Sequence, residues 1–136
     1  MLYFQKAAMS NYSRGIHNLG YAYLMGEGVI QNKNKGFELF KKAADLDLPV
    51  AMNNIGGCYH NGNGVKKDLK KALYWYQRAA DRGFNEALRH IGMIYGTGGE
   101  SVKKNPELAK QYFKLACENG VNCQEELSSL EDESEV

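Results

Sequence analysis

AMNNIGGCYHNGNGVKKDLKKALYWYQRAADRG, residues 51–83, decides the fold. Its apolar residues recur at helical rather than alternating spacing. Ala51, Met52, Ile55, Cys58 and Tyr59 make one stripe, and Ala72, Trp75, Tyr76, Ala79 and Ala80 make a second. Between them lies GNGVKKD, the composition of a turn. The unit is therefore a helical hairpin, and neither stripe can be buried by its own helix. Both need neighbours.

The rest of the chain supplies them. LGYAY at 19–23 returns as IGGCY at 55–59 and IGMIY at 91–95, a period of 36 residues. FELFKKAA at 37–44 returns as LYWYQRAA at 73–80, and as KQYFKLAC at 110–117 after a loop one residue longer. LYFQKAA at 2–8 keeps the same register, since Ala7 and Ala8 stand 36 residues before Ala43 and Ala44. Stacked repeats of this kind bury a continuous core. The expected division is a second helix of a preceding repeat over 1–12, repeats at 13–48, 49–84 and 85–121, a capping helix at 122–131 and an acidic tail at 132–136.

Punctuation sharpens these boundaries. Asn32, Asp68 and Asn105 precede the second helices, where a side-chain oxygen can accept from free backbone N–H groups. Asn11, Asp47, Gly83 and Gly120 stand at the exits, and these residue types tolerate the left-handed conformation that ends a helix. Glycine also recurs inside the first helices, at Gly20, Gly56 and Gly92, where it costs about 1 kcal/mol relative to alanine. The repetition predicts a notch for the rings of Phe40, Tyr76 and Phe113 on the partner helix. At the far end Cys123, Leu127 and Leu130 form a stripe that predicts the cap, with Glu125, Glu126 and Ser129 facing water and residues 131–136 mobile.

The pattern A-x-x-x-[LI]-G-x-x-Y-x-x-G-x-G-V followed by K-A-x-x-W-Y-x-x-A-A-x-x-G resembles the Sel-one-like repeat, a tetratricopeptide-related family. The resemblance implies an all-α fold, a right-handed α/α solenoid of about three two-helix repeats, and adaptor or scaffold binding of other proteins. Asp47 departs from the usual glycine, and GTGGESVKK from Gly96 lengthens the third loop. Some secreted members carry a disulfide where Cys117 and Cys123 stand. The shorter spacing here and the absence of a leader sequence predict free thiols instead.

Other chemistries find little support. No run reaches the roughly 20 apolar residues of a membrane span, and the first residues lack a secretory pattern, so the expected compartment is the cytoplasm. The formal charge is +1, but residues 124–136 carry six acidic side chains and no basic one, which leaves the remainder at +7. Its lysines fall in connections and on exposed faces, which reads as solvation rather than a nucleic-acid footprint. The glycine turns lack a following Lys-Ser/Thr pair, and the three histidines and three cysteines show no metal or catalytic spacing. The sequence therefore predicts no enzyme activity, cofactor or metal.

First helices off the buried stripe present three rows: His17, Tyr21 and Leu24; Asn53, Gly57 and His60; Arg89, Met93 and Gly96. If these line a concave face, then His17, Tyr21, Leu24, Asn53, His60, Arg89 and Met93 are the candidate contacts for a protein or peptide. Tyr, Met and Arg are enriched at interface centres. The leading expectation is an adaptor; the alternative is a small inhibitor or immunity protein that occludes a toxin or enzyme.

Overall fold

A computed structural model describes residues 2–134, with side-chain surroundings for 11–130. Among the described residues there are seven helices and no strand. They are α1 Leu2–Met25, α2 Lys33–Asp45, α3 Pro49–Asn61, α4 Leu69–Asp81, α5 Glu86–Thr97, α6 Pro106–Glu118 and α7 Gln124–Ser134. The strongest packing is within the pairs α1/α2, α3/α4 and α5/α6, followed by α2 on α3, α4 on α5 and α6 on α7. That succession is an all-α repeat solenoid.

Local chemistry starts and stops each helix as its residues dictate. The carboxyl or amide oxygens of Asn32, Asp68 and Asn105 accept from the N–H groups of Lys35, Lys71 and Leu108, all at 3.1 Å. The same three residues donate their own N–H back to Tyr23, Tyr59 and Tyr95 carbonyls at 2.8–2.9 Å, which ties each turn to the helix before it. Gly26, Gly28, Gly62, Gly64 and Gly98 take positive φ in these turns. Asp47 does so as well, at φ 66°, and its carboxylate pairs with Arg82 of the next exit.

The glycine notches are present. A Cβ built at Gly56 would lie 2.6 Å from Cδ1 of Tyr76, and one at Gly92 would lie 2.7 Å from Cε1 of Phe113. At Gly20 the corresponding ring, Phe40, would be 3.1 Å away. Alanines complete the close packing, with Ala43, Ala51, Ala72, Ala79, Ala87, Ala109 and Ala116 fully buried. One continuous core runs from Ile16 to Val102, and a second joins Leu88, Ala109, Phe113, Ala116 and Cys123 to Leu127 and Leu130 of α7. The expected capping stripe is thus packed against the last repeat.

Four expectations need correction. The helix end expected at Asn11 is absent: α1 runs from Leu2 unbroken through Asn11 and Ser13. In the second repeat the bend is rewarded by burial of Leu48, and Pro49 forces a new start. Here the matching residue, Tyr12, is 55% exposed and Ser13 imposes no stop, so a bend would sacrifice helical hydrogen bonds for nothing. Second, α7 continues to Ser134, beyond the expected end of the cap; Glu135 and Val136 lie outside the described residues. Third, Glu126 does not face water but bonds to Arg89 at 3.0 Å.

The fourth concerns the cysteines. Cys117 and Cys123 are joined as a disulfide, with Cα atoms 5.8 Å apart. Spacing along the chain was a poor guide, because the turn at Asn119 and Gly120 reverses the backbone and brings the two residues into bonding range. Cys58 is the free cysteine.

Candidate functional site

Tyr21, Gly57 and Met93 occupy equivalent positions in three successive first helices, and their side chains differ greatly in size. Tyr21 is 44% exposed and Met93 36%, whereas Gly57 between them offers no side chain. The result is a groove of about 340 Å³ centred on α3. Its walls come from Tyr21 and Leu24 of α1, Asn53, Asn54, His60 and Asn61 of α3, and His90 and Met93 of α5. Phe40, Cys58 and Tyr76 close the floor and Asn63 one end. Among the described residues, no Asp, Glu, Lys or Arg lines it.

Three polar rungs hold the first helices in register along this surface. Asn54 Nδ2 donates to His17 Nε2 at 2.6 Å, His90 Nδ1 donates to Asn53 Oδ1 at 3.0 Å, and Arg89 Nη1 donates to Glu126 Oε1 at 3.0 Å. Each rung spans 37 residues, one repeat plus one position. Arg89 is held further by Glu86 at 2.6 Å. The tautomers follow from the partners: His17 must present a bare Nε2 to an amide donor, and its Nδ1 proton then reaches Asn18 Oδ1 at 3.3 Å.

Burial disfavours the charged form of these rings. It lowers the His17 pKa against the hydrogen bond to Asn18, and lowers that of His60 with help from Lys67. His90 falls furthest, to about 4, through burial and then the neighbouring Arg89 charge. Cys58 is pushed up to about 11 by burial, so its thiol is protonated at neutral pH and is no nucleophile. His60 Nδ1 lies 3.4 Å from the Tyr76 hydroxyl, and Tyr76 stacks at a tilt on His90 with centroids 5.0 Å apart. Among the described residues, no group of three His, Cys, Asp or Glu side chains is arranged to hold a metal ion. None of their helices is long and apolar enough to cross a membrane.

Of the seven candidate contacts, Tyr21, Leu24, Asn53, His60 and Met93 line the groove, while His17 and Arg89 lie outside it, engaged in rungs. Sequence reasoning missed Asn54, Asn61, Asn63 and His90. A signal for two of them existed, since Asn54 and His90 each stand 37 residues after a candidate polar residue of the preceding repeat. Met93 also borders a second depression of about 360 Å³, whose other walls include Thr97, Phe113, Glu125 and Leu130. The lysines gather elsewhere: Lys66, Lys67 and Lys71 surround a hollow at the α3–α4 turn.

A stack of helical hairpins with a groove across its first helices and a capping helix behind it defines an α-solenoid repeat protein. Residues 1–12, 13–48, 49–84 and 85–121 match the Sel1 repeat, and the chain belongs to that family, whose repeats are protein-interaction modules. It is similar to a Sel1 repeat protein from Oxalobacter formigenes, with 36% identity and a TM-score of 0.69 over 79% of this chain and 44% of the other. It is also similar to a protective antigen of uropathogenic Escherichia coli strains displaying an SLR fold, with 35% identity and a TM-score of 0.72 over 88% of this chain and 26% of that one. Helicobacter pylori cysteine rich protein B is 27% identical at a TM-score of 0.60, covering 86% of this chain and 92% of its own. The chain thus spans less than half the length of the first two. Comparison with curated proteins gives no match.

Proposed function

We propose that this chain is a non-catalytic binding module that takes an extended, uncharged segment of a partner protein across the groove at Gly57. The observation that carries this reading is the lining: two exposed side chains, Tyr21 and Met93, flank a hollow walled by Leu24, by the amides of Asn53, Asn54 and Asn61 and by the imidazoles of His60 and His90, over a floor of Phe40, Cys58 and Tyr76. Amide groups can hold a peptide backbone in either direction, and the hollow can receive one apolar side chain. A phosphate or a run of acidic residues would find no cation there. His17 and Arg89 support the site by fixing the helices rather than by touching the partner.

Selection of displayed peptides against the full chain, followed by titration calorimetry, tests this. Gly57→Leu fills the hollow without disturbing the core, because a Cβ at Gly57 meets only the Tyr76 hydroxyl, at 3.7 Å. It should weaken a selected peptide about tenfold or more, and Tyr21→Ala by a similar amount. Affinity should change little with salt, since no fixed charge is engaged. Peptides that bind both variants as they bind the native chain would place the site elsewhere.

A further inference from the structure

The first repeat exposes a surface that the later repeats bury. Tyr12, Gly15 and Leu19 are the register equivalents of Leu48, Ala51 and Ile55, and of Phe84, Ala87 and Ile91. Ile55 and Ile91 are 0% and 2% exposed, but Leu19 is 45% exposed. Leu48 is 8% exposed against 55% for Tyr12, and a Cβ at Gly15 would meet nothing within 4 Å. In the later repeats the cover is the second helix of the preceding repeat, α2 lying on α3 and α4 on α5. Ala80 of α4, for example, packs in the cluster that contains Leu88 of α5.

The chain carries one more sequence of that covering type. LYFQKAA at 2–8 is in register with the second helices, with Ala8 matching Ala44 and Ala80, and residues 1–12 match the family's repeat. Yet residues 2–11 continue α1 along its own axis. A segment collinear with a helix cannot lie on the side of that same helix; at 1.5 Å per residue it extends about 15 Å beyond Tyr12 instead. The cover and the surface it fits are both present and are held apart within one molecule. That is the open form from which identical elements are exchanged between copies.

We propose that two copies of this chain associate by reciprocal exchange, residues 2–11 of each lying on the Tyr12–Gly15–Leu19 surface of the other. Each copy thereby covers the exposed Tyr12–Leu19 surface of the other, and the two contacts are equivalent by symmetry.

Sedimentation velocity on the full chain and on two point variants tests the exchange. Leu19→Asp alters the surface and Ala8→Asp alters the covering segment; Leu19 is already exposed, so helicity and melting of the isolated subunit should hold. The native chain should form dimers at about 100 micromolar, and each variant should be monomeric there. An equimolar mixture of the variants should regain dimers, because one native segment then meets one native surface. A native chain monomeric at that concentration overturns the proposal. So does an Ala8→Asp variant that still dimerises, since the contact would then not use the segment, and so does a mixture that stays monomeric.

Discussion

Neighbouring glycines in α3 should respond to alanine with opposite signs. Gly→Ala inside a helix ordinarily stabilises by about 1 kcal/mol, because alanine loses less backbone freedom on folding. At Gly57 that gain is available, since the new Cβ would make an ordinary contact at 3.7 Å. At Gly56 the Cβ would stand 2.6, 2.7 and 2.9 Å from Cδ1, Cε1 and Cγ of Tyr76. Normal carbon contacts need about 3.5–4.0 Å, so the ring must retreat by about 1 Å. It has no room: Tyr76 is 2% exposed and is flanked by His60 and His90 at centroid distances of 6.1 and 5.0 Å.

Overpacking of this kind costs about 1–3 kcal/mol, which outweighs the helix gain for most of that range. The net expectation is a loss of up to about 2 kcal/mol for Gly56→Ala. For a chain of this size about 1 kcal/mol shifts Tm by about 3–4 °C, so Gly56→Ala should melt lower by up to about 8 °C and Gly57→Ala about 3 °C higher. Thermal unfolding followed by circular dichroism measures both. A double variant with Tyr76→Leu should lose less than the sum of its parts, because the clash disappears with the ring. A Gly56→Ala protein that melts at or above the native temperature would refute the notch as the reason for the glycine.

Acid should destabilise the repeat stack through its histidines. His90 has a folded pKa of about 4 against an ordinary 6.5, so the unfolded chain binds the proton more readily; its contribution is complete above pH 6.5 and is lost as pH falls towards 4. The loss is about 3 kcal/mol at most, and denaturant titrations at pH 7 and 4.5 should show it diminished in His90→Gln, which cancels the carboxylate background. Asp68→Ala removes the oxygen that accepts from Lys71 N–H and should cost about 1 kcal/mol; an unchanged denaturation midpoint would show the cap to be idle. Asp47→Gly relieves a left-handed aspartate and loses only an exposed ion pair, so stability should rise by up to about 1 kcal/mol rather than fall. Thiol titration of unfolded, unreduced protein should find one reactive cysteine, Cys58; three would mean that Cys117 and Cys123 are not paired.

The fold was legible because repeats state the same local rule several times. Helical spacing, the caps at Asn32, Asp68 and Asn105, and the notches at Gly20, Gly56 and Gly92 all concern residues that meet within one hairpin, and the structure places each as read. The row Tyr21, Gly57, Met93 was readable on the same basis, since identical positions in identical units fall on one line. What the sequence alone left undecided concerns contacts between units or beyond the last one. His17 and Arg89 look like free surface residues until the next repeat brings Asn54 and Glu126 within hydrogen-bond distance. Cys117 and Cys123 look too close along the chain to pair until the turn between them reverses its direction. Asn11 and Ser13 look like a helix end, but a helix bends there only where burial repays the lost hydrogen bonds, and Tyr12 finds no such burial. Local propensity is written into each residue, whereas the value of a bend or a polar side chain depends on which surface the fold brings opposite it.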